Sequence, residues 1–324
     1  MTHFADRLSA AVRLRGNPVL VGLDPRWEQL PQPLRAAGAA ASLVHKADAY
    51  TQFCRGVIDA VAPLVAAVKP QSAFFEELGP AGMSALWEVI QHARRRGLLV
   101  ILDGKRNDIG TTAAAYAAGY LGGDDASPWG ADALTVSPYL GDDSLTPFMD
   151  VAKQRGTGIF VLVKTSNPGG KTFQDLHVEG KPLYEHVATF VEQQSAATLG
   201  TCGYGTVGAV VGATYPEQLG SLRAAMPHTW FLVPGFGAQR GSAHDVAGAF
   251  DERGLGAIVN NSRGIIFAHA RAEFKDRFGD RRWQDAVEAA TQEMICQLRA
   301  DTAAGRLADG TGDKPDFSTQ HDSG

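Results

Sequence analysis

The stretch LLVILDGKRNDIGTT, residues 98–112, carries the reading of the fold. It opens as an unbroken aliphatic run, Leu98–Leu102, and then turns abruptly to charge with Asp103, Lys105, Arg106 and Asp108. A run of this length with no polar alternation suits a strand buried on both faces, as in a parallel sheet covered by helices. Seven further runs of the same kind are spaced along the chain: Val19–Asp24, Val65–Lys69, Ala131–Val136, Gly158–Lys164, Val207–Ala213, Trp230–Pro234 and Gly256–Asn260. Segments of helical length and apolar spacing, such as Ala81–Arg96 and Tyr184–Leu199, lie between them. Eight strand–helix repeats predict an α/β protein of the (β/α)8 TIM-barrel class, with residues 1–300 as a single domain. Residues 301–324, poor in apolar side chains and rich in Gly, Asp, Ser and Thr, read as a polar, flexible C-terminal tail.

Nearly every run finishes in a polar, Gly or Pro residue: LDP, VKPQ, LDGK, VSP, VKTSNPG, VGAT, VPGFG and VNNSRG. In this fold the C-terminal strand ends and the loops after them build the active site. The third run matters most. If its strand continues to Lys105, the two-residue period puts Asp103 and Lys105 on one face. Lys69, at the end of the preceding run, adds a second cation, while Asp108 follows after the chain has left the strand. Charges beside buried aliphatics cost several kcal/mol each unless paired, so a cluster of two Asp and two Lys favours a partly dry pocket over an idle salt bridge.

Composition narrows the function. The chain has 324 residues, 44% of them hydrophobic, enough for a large core, and a net charge of −5 with no basic stripe, which speaks against a nucleic-acid partner. No uncharged apolar run reaches the roughly 18 residues of a membrane span. The first residues, MTHFADRLSAAVRLRGNP, carry charge throughout and lack the apolar core of a secretory signal, so the expected setting is cytoplasmic. Cys54, Cys202 and Cys296 are odd in number and far apart, and no HxH or HExxH motif occurs; neither a disulfide framework nor a metal site is expected.

The words around the charged strand resemble those of the orotidine 5′-phosphate decarboxylase family. Asp103-Gly104-Lys105-Arg106-Asn107-Asp108-Ile109 is similar to its Asp-x-Lys-x-x-Asp-Ile signature. VGLDP (21–25), VKPQSAFFE (68–76), KTSNPG (164–169), PGFGAQ (234–239) and NNSRGI (260–265) follow in the family's order, with wording closest to its longer bacterial branch. Gln71 stands where that family more often has Asn.

The resemblance implies conversion of orotidine 5′-phosphate to UMP and CO2 without metal or cofactor, in a homodimer with shared active sites. It implies that Lys105 protonates C6, that Asp103 lies beside the departing carboxylate, and that Lys69 and Asp108 orient the pair, Asp108 acting in the neighbouring subunit. Asp24 is then a ribose contact, Thr112 a ribose contact from the second subunit, and Ser166 a partner for the pyrimidine amide edge. Asp24 also reads as a turn residue before Pro25, and Thr112 as an ordinary helix-start threonine. Asn167 is explained by turn geometry alone, and residues 167–182 read as a mobile loop over the pyrimidine.

The phosphate end falls to the last two strands. Gly235 and Gly237 let backbone N–H groups approach an anion, Gln239 closes the loop, and Arg263 supplies a bidentate cation. Two other readings stand beside this one: a Mg²⁺-dependent sugar-phosphate decarboxylase or aldolase on the same barrel, and a non-catalytic nucleotide-phosphate sensor. Lys69 and the KTSN segment favour the nucleotide reaction over the first, and the intact Lys69–Asp103–Lys105–Asp108 set argues against the second.

Overall fold

The computed structural model describes residues 2–35, 41–122, 126–237 and 241–307. Eight parallel strands close into a barrel: β1 (Val19–Leu23), β2 (Ala67–Pro70), β3 (Leu99–Arg106), β4 (Ala133–Val136), β5 (Gly158–Lys164), β6 (Val207–Val211), β7 (Phe231–Val233) and β8 (Ala257–Asn261). Each strand pairs with its neighbours in sequence, and β8 returns to β1 with Val19 opposite Val259. Most boundaries differ by one to three residues from those expected; β5 matches, and β3 runs on to Arg106.

Among the described residues, eight α-helices longer than two turns accompany the strands: α1 (Phe4–Arg15), α2 (Leu43–Val61), α3 (Gly79–Arg95), α4 (Gly110–Tyr120), α5 (Thr146–Arg155), α6 (Leu183–Ala196), α7 (Pro216–Ala225) and α8 (Trp283–Asp301). Residues spaced three and four apart turn inward, as on α2, where Tyr50, Phe53, Cys54, Val57, Ile58 and Val61 are buried. After β7 the expected helix shrinks to one turn, Ala243–Val246, capped by a reciprocal Ser242–Asp245 box.

Strand alternation divides the core in two. One residue from every strand enters an inner cluster: Leu20, Ala67, Ile101, Ala133, Phe160, Val210, Leu232 and Ile258. Their neighbours, such as Val19, Val68, Val100 and Leu134, pack outward against the helices. Phe4, Leu8 and Val12 of α1 join the inner cluster and cap the N-terminal end of the barrel. Phe4 lies edge-on to Phe160, 6.0 Å between ring centroids, and sits where a Cβ on Gly158, the first residue of β5, would collide with its ring. Glycine is therefore required at 158 for α1 to seat.

The end of the chain departs from expectation. α8 continues through Asp301, and the turn Ala303–Leu307 packs on the core with Ala304 fully buried, so a polar tail cannot begin at residue 301. Residues 308–324 lie outside the described residues. Cys54, Cys202 and Cys296 are free thiols, the last of them exposed.

Candidate active site

Two residues above the inner apolar ring, the same strand faces turn polar. Ala67 is followed by Lys69, Ile101 by Asp103, Ala133 by Thr135, Ile258 by Asn260, and Leu20 by Gly22 and then Asp24. The two-residue period alone stacks these groups over a dry floor at the barrel mouth.

Asp103 is the centre. Its Oδ2 accepts from Lys69 Nζ at 2.7 Å and Gln71 Nε2 at 3.0 Å; its Oδ1 accepts from Lys105 Nζ at 2.6 Å and Thr135 Oγ1 at 2.9 Å. Four donors saturate one carboxylate. Burial pushes the Asp103 carboxyl up, but the Lys69 and Lys105 charges and their hydrogen bonds outweigh burial and hold it well below the ordinary 3.8. For Lys69, burial favours the neutral amine, and the charges of Asp103 and Asp24 overcome it, leaving its pKa above the ordinary 10.5. Lys69 and Asp103 thus form an ion pair at neutral pH.

β3 reaches Lys105 by an irregular step. Its register against β4 shifts between Leu102 and Arg106, and Lys105 takes φ 45°, a left-handed conformation uncommon outside glycine. The Lys105 N–H donates to Thr135 Oγ1 at 2.9 Å. Arg106 is held beneath the Tyr116 and Tyr120 rings and pairs with Glu76.

The other expected residues are placed less uniformly. Asp24 ends β1 with Oδ1 buried and without a hydrogen-bond partner, an acceptor available to a ligand hydroxyl. Asp108 does not join the network within the chain: its Oδ1 caps the Ile109 N–H at 2.8 Å, and among the described residues it pairs with neither lysine. Thr112 is exposed on the first turn of α4, and Ile109 beside it is exposed as well. Ser166 follows β5 half-buried. The segment expected to be a loop, 167–182, carries a short helix, Lys171–Gln174, and a small hairpin pairing His177 with Pro182. It is fastened at its root by Lys164, a buried cation between the Tyr184 and Tyr215 rings that pairs with Asp175.

At the opposite side, Gly235 (φ 106°) and Gly237 (φ 76°) turn the chain sharply after β7, conformations that L side chains rarely adopt. Arg263 opens a one-turn helix after the adjacent β8; its guanidinium is exposed and makes no hydrogen bond or ion pair among the described residues. Asn261 braces the two, its Oδ1 accepting the Gly264 N–H at 3.1 Å while its amide lies against Gly237. Gln239 lies outside the described residues.

Three residues that sequence reasoning gave no role, Gln71, Ser72 and Thr135, bind Asp103 or Lys105, and Asn260 lies at the mouth with its Oδ1 buried and unpartnered. Gln71, noted only as a departure from a resemblance, binds Asp103, and Ser72 holds the Asp103 carbonyl. Thr135 and Asn260 were legible by parity alone, since each lies two residues beyond a barrel-interior position.

A closed barrel with a lysine–aspartate–lysine array on one side of its mouth and, on the other, a glycine turn and an arginine with no ion pair among the described residues defines a (β/α)8 enzyme for an anionic substrate. The chain belongs to the orotidine 5′-phosphate decarboxylase/HUMPS family, whose model matches residues 17–276. It is 60% identical over 301 residues to an orotidine 5′-phosphate decarboxylase of Rhodopirellula baltica, covering 92% of this chain and all of that one. A Deinococcus radiodurans protein of the same name is 45% identical over 266 residues, 82% of this chain and 89% of its own. The structure of Leishmania donovani OMP decarboxylase superposes with a TM-score of 0.69 at 35% identity, covering 93% and 98% of the two chains.

Proposed function

We propose that this chain removes CO2 from C6 of orotidine 5′-phosphate to give UMP, using its own side chains and neither metal nor cofactor. The observation that carries the reading is the Lys105 ammonium, half exposed to the mouth yet gripped at 2.6 Å by a buried Asp103 whose carboxyl is held well below its ordinary range.

When the C6–carboxylate bond breaks, neutral CO2 departs and its bonding electrons stay at C6 in an orbital in the plane of the ring. They cannot spread into the ring carbonyls, so stabilisation has to come from charge placed in advance. Lys105 supplies that charge and then one N–H proton to C6, and the resulting amine regains its proton from water. Asp103 meets the substrate carboxylate as a like charge, a repulsion that ends when CO2 leaves. At about 4 Å and an effective dielectric near 20 this is on the order of 4 kcal/mol, a part of the barrier only. Lys69 and Gln71 hold Asp103 in place.

Asp24, with an unpartnered buried oxygen, accepts from a ribose hydroxyl. Ser166 takes the pyrimidine amide edge. Gly235 and Gly237 offer backbone N–H groups to the phosphate, Arg263 neutralises it, and Gln239 is the proposed side-chain contact from the same loop. Asp108 and Thr112 serve the site of a second copy in a homodimer. Supporting this, neither Asp108 nor Thr112 joins the network of its own chain, and Ile109, next to Asp108, is an exposed apolar side chain. The setting is the cytoplasm; no helix among the described residues is long and apolar enough to cross a membrane.

The test is release of labelled CO2 from orotidine 5′-phosphate, with and without a chelator. Turnover that survives chelation is expected. No release would sink the reading, and release that needs added Mg²⁺ would return the chain to the metal-dependent branch of its family.

A further inference from the structure

Thr135 sits on β4, two residues beyond the interior Ala133, and is 1% exposed. Its hydroxyl makes two contacts whose directions are fixed by their partners. A backbone N–H can only donate, so at 2.9 Å from Lys105 N the Thr135 oxygen accepts. An ionised carboxylate can only accept, so at 2.9 Å from Asp103 Oδ1 the Thr135 proton is donated. Asp103 Oδ1 is also the oxygen that Lys105 Nζ holds.

The contacts close a ring. It runs from the Lys105 main chain through Thr135 to Asp103 and back through the Lys105 ammonium. Both ends of one lysine are thereby tied to a single carboxylate oxygen. The tied main chain is the one with φ 45°. A left-handed lysine relaxes to extended backbone unless its surroundings hold it.

We propose that Thr135 is the positioning residue that holds Lys105 in its left-handed conformation and so sets where the ammonium stands in the mouth. The role rests on the decarboxylation reading above, in which Lys105 is the proton donor. Thr135 acts through the two groups it holds, the Lys105 main chain and Asp103 Oδ1. Without its hydroxyl, the Lys105 N–H loses its acceptor and Asp103 Oδ1 loses a donor, while the shape of the barrel wall is unchanged.

Two variants test this. Thr135→Val keeps the volume and removes the hydroxyl; Thr135→Ser keeps the hydroxyl. Thr135→Val is expected to lower kcat about 10- to 100-fold, the scale of an ångström-level misplacement. KM should stay within about threefold, because phosphate and ribose contacts lie elsewhere. Thr135→Ser should recover kcat to within about threefold of the unaltered enzyme.

Wild-type kcat in Thr135→Val, a loss confined to KM, or a Thr135→Ser variant as impaired as Thr135→Val would each overturn the proposal. Should Thr135→Val not fold, Thr135→Ala carries the same comparison. Failure of both to fold, with Thr135→Ser folded, would assign the hydroxyl to stability and overturn the proposal too. An unaltered chain with no turnover of orotidine 5′-phosphate would mark failure of the decarboxylation reading itself, and this role would fall with it.

Discussion

Lys69 and Lys105 hold opposite oxygens of one carboxylate from opposite dielectric environments: the Lys69 side chain is 4% exposed and that of Lys105 46%. The buried lysine fixes the carboxylate; the exposed one is presented to whatever enters the mouth. Their consequences on substitution differ accordingly.

Lys105→Ala should lower kcat by at least about 10²- to 10⁴-fold, the contribution of a positioned proton donor, with little change in the melting midpoint. A side chain half in solvent is not core. Near wild-type turnover in a folded Lys105→Ala protein would remove the assigned role.

Asp103→Asn leaves Lys69 buried opposite a neutral amide, and breaking such a pair costs about 3–5 kcal/mol. The pH dependence should also change sign. In the unaltered protein the Lys69 pKa is raised, so its contribution is complete below 10.5 and fades as pH climbs through the folded value. The Asp103 pKa is lowered, so its contribution is complete above 3.8 and fades as pH falls through the folded value. In Asp103→Asn, burial dominates Lys69 and drops its pKa below 10.5, so stability should climb with pH up to that value. Denaturant titrations at several alkaline pH values would show the reversal; parallel curves for the two proteins would refute it.

Arg263→Ala should act on capture. Losing a charged hydrogen-bonding partner of the phosphate costs about 1.5–3 kcal/mol, or roughly 10- to 100-fold in kcat/KM. Salt should narrow the gap between variant and wild type. An unchanged kcat/KM rejects the phosphate assignment.

Asp108→Ala and Lys105→Ala, each inactive alone, should complement when unfolded together and refolded as a mixture. In a C2 dimer with shared sites, one hybrid site carries both changes and the other none, so random pairing restores about a quarter of wild-type activity. No recovery, with hybrids demonstrably present, would place Asp108 in the site of its own chain.

Lys164 and Asp175 offer a stability test of the segment after β5. Asp175→Ala strands a buried ammonium and should cost about 3 kcal/mol or more, whereas Lys164→Met should cost less, because nothing charged is left behind in the interior. Thermal melts of the two variants decide it; the reverse order would mean that the ion pair does not hold the segment.

The barrel was legible from its eight aliphatic runs, and the floor of the site from parity: once Ile101 faces inward, Asp103 must as well. Parity could not supply the conformation of Lys105, because the register shift after Leu102 is a tertiary compromise between β3 and β4 with no signature in LDGKR. The contacts of Thr135 and Gln71 with Asp103 were not legible for a related reason. Each carries a residue type common in strands and turns, and only the closing of the barrel brings them to Asp103 from neighbouring strands. The start of the tail was set too early because Ala303, Ala304 and Leu307 are few and scattered, yet a single small buried side chain suffices to dock a turn.

The seating of Phe4, Leu8 and Val12 beneath the strands stoppers the base of the barrel, where all three side chains are at most 1% exposed. In the proposed reaction, the carbon dioxide released above the dry floor would leave through the mouth by which the nucleotide entered, past the Lys105 amine that has just given up a proton. An N-terminal fusion that unseats the first sixteen residues would open a second exit and flood the floor with water, and so would harm an enzyme whose reacting groups lie at the far end of the barrel.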